Sequence, residues 1–330
     1  MKAIIQPRYG SPDVLRLQEV EKPVLEDDRV LVRVRASSVN AADWRQLRGK
    51  PYAARPMMGG VRTPKSGAVG IDAAGIVEAV GKDVTHVAPG DEVYGMRNGA
   101  FAEYVSGRTF VLKPANLTFE QAAAVPVAGG TALIALHDKG AIRAGQRVLI
   151  TGAGGGVGTF AVQLAKAFGA AVTAVSRTAN LELMRSLGAD HVIDYTREDF
   201  TKRPERYDLV VDVGGRPSAR AIRRTLTPAG TLVLVGAGPG DWVGPLTRFV
   251  TGTLRSRVLK QRVVGFYAQV TREHLLVLKE LIEAGKVTPV IDRTYPLSEA
   301  ARRSATSNRV APRERSSSPS EAAVTGAERT

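Results

Sequence analysis

The residues with the clearest chemical potential form one run, Arg147-Val148-Leu149-Ile150-Thr151-Gly152-Ala153-Gly154-Gly155-Gly156-Val157-Gly158. Val148 to Ile150 is apolar and β-branched, as a buried strand is, and from Val157 to Phe168 apolar residues recur at helical spacing. The glycines therefore stand at a strand-to-helix corner. A backbone without Cβ atoms comes close to a diphosphate, and the free N–H groups and positive dipole end of a helix favour the anion. Ala171 to Val175 reads as a second strand and completes a βαβ unit of about thirty residues. Gly152, Ala153, Gly154, Gly155, Gly156, Val157 and Gly158 are thus the candidate dinucleotide cradle, against the plainer alternative of a glycine-rich turn with no ligand.

The residues directly after the second strand bear on which dinucleotide is bound. An Asp or Glu there would accept hydrogen bonds from ribose hydroxyls and repel a phosphate, but this chain has Ser176-Arg177-Thr178. A hydroxyl and a guanidinium suit a 2′-phosphate, which arginine grips with two parallel hydrogen bonds. The expectation is NADPH rather than NADH, held by Ser176 and Arg177; the competing reading makes Arg177 a solvated loop cation. Tyr195, Val235 and Gly236, at the ends of two later apolar stretches, complete the candidate cofactor-binding set.

The elements that must position these residues can be read from pattern. Short apolar stretches at 191–194, 208–212 and 231–236 alternate with helical segments as far as about Tyr267, which predicts an α/β fold with a doubly wound parallel sheet. Leu181 to Leu187 reads as a helix stopped at Gly188. Earlier stretches such as Arg29 to Arg35 alternate apolar and charged residues between Gly and Pro turns, as a separate β-rich domain does. A length of 330 residues fits two domains. After the sheet, Arg272 to Ala284 forms an amphipathic helix stopped at Gly285, and Val287 to Ile291 is expected to resume extended structure.

In this order the chain carries Ala36-Ser37-Ser38-Val39-Asn40-Ala41-Ala42-Asp43-Trp44, Gly70-Ile71-Asp72-Ala73-Ala74-Gly75-Ile76-Val77, Gly90-Asp91-Glu92-Val93-Tyr94-Gly95, Gly99 to Val105, and Gly129-Gly130-Thr131-Ala132. With these motifs it resembles the medium-chain dehydrogenase/reductase superfamily, in its zinc-free branch of quinone oxidoreductases and NAD(P)-dependent alcohol dehydrogenase-like proteins. The resemblance implies a GroES-like β-barrel catalytic domain over 1–125, a Rossmann NADP-binding domain over 126–267, and a return to the catalytic domain over 268–301. It implies an active site in the cleft between the domains. It also implies that Asn40 lies near the nicotinamide and that Thr131 helps place the ring or its ribose. Asp43 is then a residue that could orient Asn40, and Tyr52 a candidate donor to a substrate oxygen.

Zinc-dependent members need thiolate and imidazole ligands on one ion. This chain has no cysteine, and where those members carry Gly-His-Glu it has Gly70-Ile71-Asp72. His86, His137, His191 and His274 are scattered without ligand spacing, so no metal is expected. Without a Lewis acid to activate an alkoxide, reduction of an electrophilic acceptor is favoured over simple alcohol oxidation. The expected function is hydride transfer from NADPH to a quinone, enone or related conjugated carbonyl. A zinc-free NAD(P)-dependent alcohol dehydrogenase and a non-catalytic NADPH-binding scaffold remain open, and by resemblance so does a homodimer.

The net charge is +14, and Arg248, Arg255, Arg257, Lys260 and Arg262 form a basic cluster. No aromatic interleaving accompanies it, so a solvated face is expected rather than a nucleic-acid or membrane contact. No apolar run is long enough to span a bilayer and no signal peptide is seen, which leads to a cytoplasmic expectation.

From Arg302 onward the pattern breaks into a Ser/Pro/Arg-rich tail over 302–330 with the composition of disorder. Codons for Arg302 to Ser320 can be chosen so that one guanine restored before them gives the shifted reading EAIRYLEQGRAKGKVVITV, with a stop immediately after it. That string reads as helix, glycine turn and β-branched strand, the ending the family has. The expectation is a single-base deletion near the Ala301 codon, in the gene or in its sequencing, with a genuine flexible tail as the alternative.

Overall fold

The computed structural model describes residues 1–330 except 57–59, 65, 215–216, 236–259, 298, 300–322 and 327–330. Its strands are β1 (Lys2–Ile5), β2 (Arg16–Glu19), β3 (Val30–Val39), β4 (Asp72–Val80), β5 (Glu92–Met96), β6 (Tyr104–Gly107), β7 (Val111–Leu112), β8 (Arg147–Thr151), β9 (Ala171–Ser176), β10 (His191–Asp194), β11 (Tyr207–Asp212), β12 (Leu226–Val235), β13 (Arg262–Phe266), β14 (Arg293–Pro296) and β15 (Ala323–Gly326). Two compact units result, one of Met1–Val127, Thr271–Leu276 and Val290–Glu328, the other of Ala128–Val270, Val277–Pro289 and Arg329–Thr330.

In the first unit, β3 shows how alternation builds the sheet. Val30, Val32 and Val34 are buried while Arg33 and Arg35 are exposed, the period of two that a pleated strand requires. Val30, Val32 and Val34 join Val77, Val93, Val105 and Phe110 in one apolar core. β3 also runs beyond the alternating stretch, through Ala36 to Val39, with Ser37 and Ser38 both buried. Their hydroxyls are satisfied by the neighbouring strand: Ser37 Oγ donates to the Asp72 carbonyl at 2.5 Å and Ser38 Oγ to Asp72 Oδ2 at 2.8 Å. The sheet order is β14-β15-β3-β4-β5-β7, with β6 also on β3.

The second unit holds six parallel strands in the order β10-β9-β8-β11-β12-β13. β8 is central, and the strand order reverses between it and β11, so its carboxyl end is the place where an open α/β sheet binds ligands. Leu149, Val175, Ile193, Val210 and Leu232 pack in its core. No described helix is long and apolar enough to cross a membrane.

Three expectations change. Residues 287–292 form no strand, and extended pairing begins only at β14. Gln163, not a neighbouring strand, takes this backbone: its Oε1 accepts from Thr288 N at 2.8 Å, its Nε2 donates to Thr288 O at 3.0 Å, and Pro289 has no N–H to offer. β12 starts at Leu226 rather than Thr231, with a register irregularity against β11. The unstructured tail does not extend over Ala323–Gly326, which pair parallel with Ala36–Val39 of β3 and antiparallel with β14; open backbone groups on both strands recruit a short β-competent segment. The remaining tail residues 302–322 and 327–330 lie outside the described residues, as do Arg248, Arg255 and Arg257 of the basic cluster.

Candidate active site

In the second unit the glycine corner takes the form its chemistry needs. Gly152 leaves β8 at φ +66, and a Cβ there would stand 2.6 Å from Gly214 N. A Cβ on Gly154 would stand 2.2 Å from Asn180 Nδ2 and 2.7 Å from Ser176 Oγ, and one on Gly158 would stand 2.3 Å from Gly152 O. The chain here lies as close to its neighbours as backbone can, with no room for side chains at these three positions. Gly155 caps the helix Gly156–Ala167, whose first-turn N–H groups at Gly156, Val157 and Gly158 have no partner four residues back. They are donors aimed at whatever anion sits before the helix.

Ser176 ends β9 and is buried; the half-buried Arg177 comes next and caps the turn Thr178–Asn180. Arg177 Nε is buried without a hydrogen-bond partner. A buried guanidinium nitrogen left open costs stability in the free protein, so it is a fitting contact for an anion arriving there. Tyr195 N donates to Ser176 O at 3.1 Å, which ties the end of β10 to the same edge. Asp194 is committed to Thr178 Oγ1 at 2.5 Å and Thr196 Oγ1 at 2.7 Å, and these hydroxyls hold its carboxyl below the usual range. Val235 ends β12 in the core, and Gly236 lies outside the described residues. Thr131 is 9% exposed in the helix Pro126–Leu133. The glycine before it has a packing reason, since a Cβ on Gly130 would stand 2.5 Å from Val270.

In the first unit, Asn40 caps α1 (Ala41–Arg48). Asp43 touches it through the backbone, its Oδ2 accepting from Asn40 N at 2.7 Å as in a capping box. The Asn40 side chain completes the box from the Asp43 backbone N–H, and its amide nitrogen has further partners. Asn40 Nδ2 donates to Ser38 Oγ at 3.0 Å and to Asp72 Oδ2 at 3.0 Å. Asp72, fully buried at the start of β4, also accepts from Val127 N at 3.1 Å. Burial pushes its carboxyl up to about 7, against the lowering effect of the Asn40, Ser38 and Val127 hydrogen bonds. Asp72 and Ser38 are not singled out as site residues by the sequence, although an acid opening a run of small apolar strand residues is a signal for a buried, partnered carboxylate. Tyr52 stands on the turn Tyr52–Ala54, with the Arg55 guanidinium 4.6 Å from its ring centroid and Arg55 also 4.7 Å from that of Tyr9.

Three of the four histidines have local partners shown. His86 Nε2 lies 3.0 Å from Phe110 O while Arg272 lies 3.2 Å from its Nδ1; His137 pairs with Asp138; His274 Nδ1 accepts from Thr271 N. Among the described residues no group of three or more His, Cys, Asp or Glu is placed to hold a metal ion.

Comparison with known proteins agrees with this geometry. Residues 26–128 match the alcohol dehydrogenase GroES-like domain family, and residues 187–303 match the zinc-binding dehydrogenase family. The chain therefore belongs to the medium-chain dehydrogenase/reductase superfamily, with a GroES-like domain and a Rossmann-type sheet. Among its relatives are the 2-methylene-furan-3-one reductase of Solanum lycopersicum, 37% identical over 90% of this chain and 73% of the relative, and the chloroplastic NADPH-dependent alkenal/one oxidoreductase of Arabidopsis thaliana, 35% identical over 91% and 75%. A solved quinone oxidoreductase from Coxiella burnetii superposes with a TM-score of 0.82 at 30% identity, over 100% of this chain and 99% of that one.

Proposed function

We propose that this oxidoreductase is a zinc-independent, NADPH-dependent reductase of quinones, enones or related conjugated carbonyls. The observation that carries the reading is the glycine corner at the carboxyl end of β8 with Arg177 Nε open beside it. The N–H groups of Gly156, Val157 and Gly158 bind the pyrophosphate, and Ser176 with Arg177 binds a 2′-phosphate. When bound, the reduced nicotinamide supplies a hydride to the electrophilic carbon of the acceptor. Asn40 presents a fixed amide to the reacting groups, Thr131 helps place the ring or its ribose, and solvent supplies the final proton. The acceptor class is supported by the relatives named as alkenal/one, furanone and quinone reductases. Zinc independence is supported by the absence of cysteine from the sequence and by the local partners of His86, His137 and His274. We place the enzyme in the cytoplasm; a chloroplastic relative shows that the family also works elsewhere.

The test is loss of reduced-nicotinamide absorbance by the purified chain with 1,4-benzoquinone and with trans-2-hexenal. Turnover with NADPH supports the reading. NADPH binding without turnover of either acceptor favours a binding protein, and preferred oxidation of an alcohol favours a zinc-free dehydrogenase. Arg177→Ala is expected to weaken NADPH binding by about tenfold to a hundredfold, the value of a charge-assisted contact, and to leave NADH binding unchanged. Equal weakening of both, measured by calorimetry, would remove the 2′-phosphate role. Asn40→Ala is expected to lower turnover well beyond its effect on NADPH affinity; unchanged turnover would take Asn40 out of the mechanism.

A further inference from the structure

We infer that Asp72 is the positioning residue of this site: its carboxylate holds one N–H of the Asn40 side-chain amide so that the other is the group left to meet a ligand. The inference rests on the proposed role of Asn40 and adds the device that sets its orientation. A carboxylate only accepts, so the NH2 end of the amide must be the end that faces it. Asp72 Oδ2 receives Asn40 Nδ2 at 3.0 Å, Ser38 Oγ at 2.8 Å and Val127 N at 3.2 Å, while Oδ1 receives Val127 N at 3.1 Å. Asn40 Nδ2 also lies 3.0 Å from Ser38 Oγ, which closes a triangle of Ser38, Asn40 and Asp72. Asn40 Nδ2, Ser38 Oγ and Asp72 Oδ2 lie at 3.0, 3.0 and 2.8 Å from one another, so the two oxygens share one amide proton; the Asn40 side-chain oxygen faces the Asp43 backbone N–H in the capping box, and the other amide proton is left for a ligand.

Three elements meet at this carboxylate. β3 contributes Ser38 and α1 is entered through Asn40, while the backbone N–H of Val127 comes from the first turn of the helix Pro126–Leu133. These partners are neutral. The nearest acid in the network is Asp43, which reaches Asn40 through the backbone N–H. Asp72 has no exposed surface, so water cannot take over any of these bonds when one is removed. Protonation of Asp72 turns one of its acceptors into a donor and frees the Asn40 amide to rotate, so the orientation is pH-sensitive through the neutral range.

The test compares the full chain with Asp72→Asn and with Ser38→Ala, each checked for fold by circular dichroism. With NADPH and trans-2-hexenal, Asp72→Asn is expected to lower kcat by about tenfold to a hundredfold, as misplacement of a reacting group does, with the Kd for NADPH unchanged. The inflection of kcat near neutral pH should vanish, and Ser38→Ala should give a smaller loss with the inflection kept. A retained inflection or an unchanged kcat in Asp72→Asn overturns the inference. A readout independent of turnover is the side-chain 15N–1H pair of Asn40, assigned by its disappearance in Asn40→Asp. It should shift with pH through neutrality in the native chain and stay fixed in Asp72→Asn. If it does so while neither acceptor is reduced, the reductase reading falls and the positioning role stands; if it never shifts, the positioning role falls.

Discussion

Restoring one guanine ahead of the Arg302 codon is expected to raise the thermal midpoint by on the order of 10 °C. The present tail from Arg302 to Ser320 is rich in Ser, Pro and Arg and has few residues able to join a core. The shifted reading has an amphipathic stretch, a glycine, and then Lys-Val-Val-Ile-Thr-Val, β-branched almost throughout. The slot for such a strand exists: β15 lies parallel to Ala36–Val39 of β3 and antiparallel to β14, but only from Ala323 to Gly326. A longer strand there extends the ladder, and the helix before it brings several apolar side chains of roughly 1.5–3 kcal/mol each into contact. After the entropy of ordering them, a surplus of about 3–5 kcal/mol remains, which at roughly 1.5 °C per kcal/mol for a chain of this size is a shift of about 5–8 °C. The zinc-binding dehydrogenase match ends at residue 303, where the two readings diverge. Resequencing the gene decides the origin of the tail; a present frame without a missing base, together with an unchanged midpoint in the restored variant, would sink the deletion.

The second large effect concerns stability against pH. Asp72 has an unfolded-state value near 3.8 and a folded value of about 7, so between those limits the native state binds more protons than the unfolded chain. Stability from this group is therefore greatest in acid and falls as pH rises from about 4 to 7, by about 1.4 kcal/mol per pH unit and at most about 4 kcal/mol in all. Asp28, Asp190, Asp194, Asp199 and Glu273 are shifted the opposite way, by hydrogen bonds and basic neighbours, and lose stabilising effect as pH falls. Those contributions cancel in a comparison with Asp72→Asn. Urea unfolding of the two proteins should show the variant gaining on the native chain as pH rises from 4 to 7, then a constant gap. A gap that does not change with pH would mean that Asp72 is not held protonated by burial. A variant that gains on the native chain as pH rises and is slower in turnover is what a costly buried carboxylate retained for positioning predicts.

The parts of this molecule that are local in sequence were legible in it. The corner from Thr151 to Gly158 could be read because strand, glycines and helix come directly one after another, and Gly154 and Gly158 meet their steric limits at Ser176 and Gly152 within the same βαβ unit. The parallel sheet was legible because every one of its strands is apolar and bounded by a helix. Asp72 was not, because its role is set by the β3–β4 register that brings Ser38 opposite it and by Asn40, 32 residues away. Gln163 was hidden in the same way: on its own helix it reads as an ordinary amphipathic residue, and its partner Thr288 is 125 residues distant. Asp43 could be read as a residue that orients Asn40 because it lies one helical turn on, the spacing at which a capping box joins each side chain to the other's backbone N–H.

The placement of β15 has a consequence for the order in which the chain matures. β3 pairs with β6 along Val30–Arg33, which is complete once Gly107 has been synthesised, but its other half, Ala36–Val39, waits for residues 323–326. The second unit is nearly continuous from Ala128 to Val270 and can fold while translation continues, whereas the first is assembled from three separate stretches. During elongation the nascent protein therefore carries an open strand edge next to Asn40 until residues 323–326 clear the ribosome tunnel, and that interval is when a chaperone or a second nascent chain would find it.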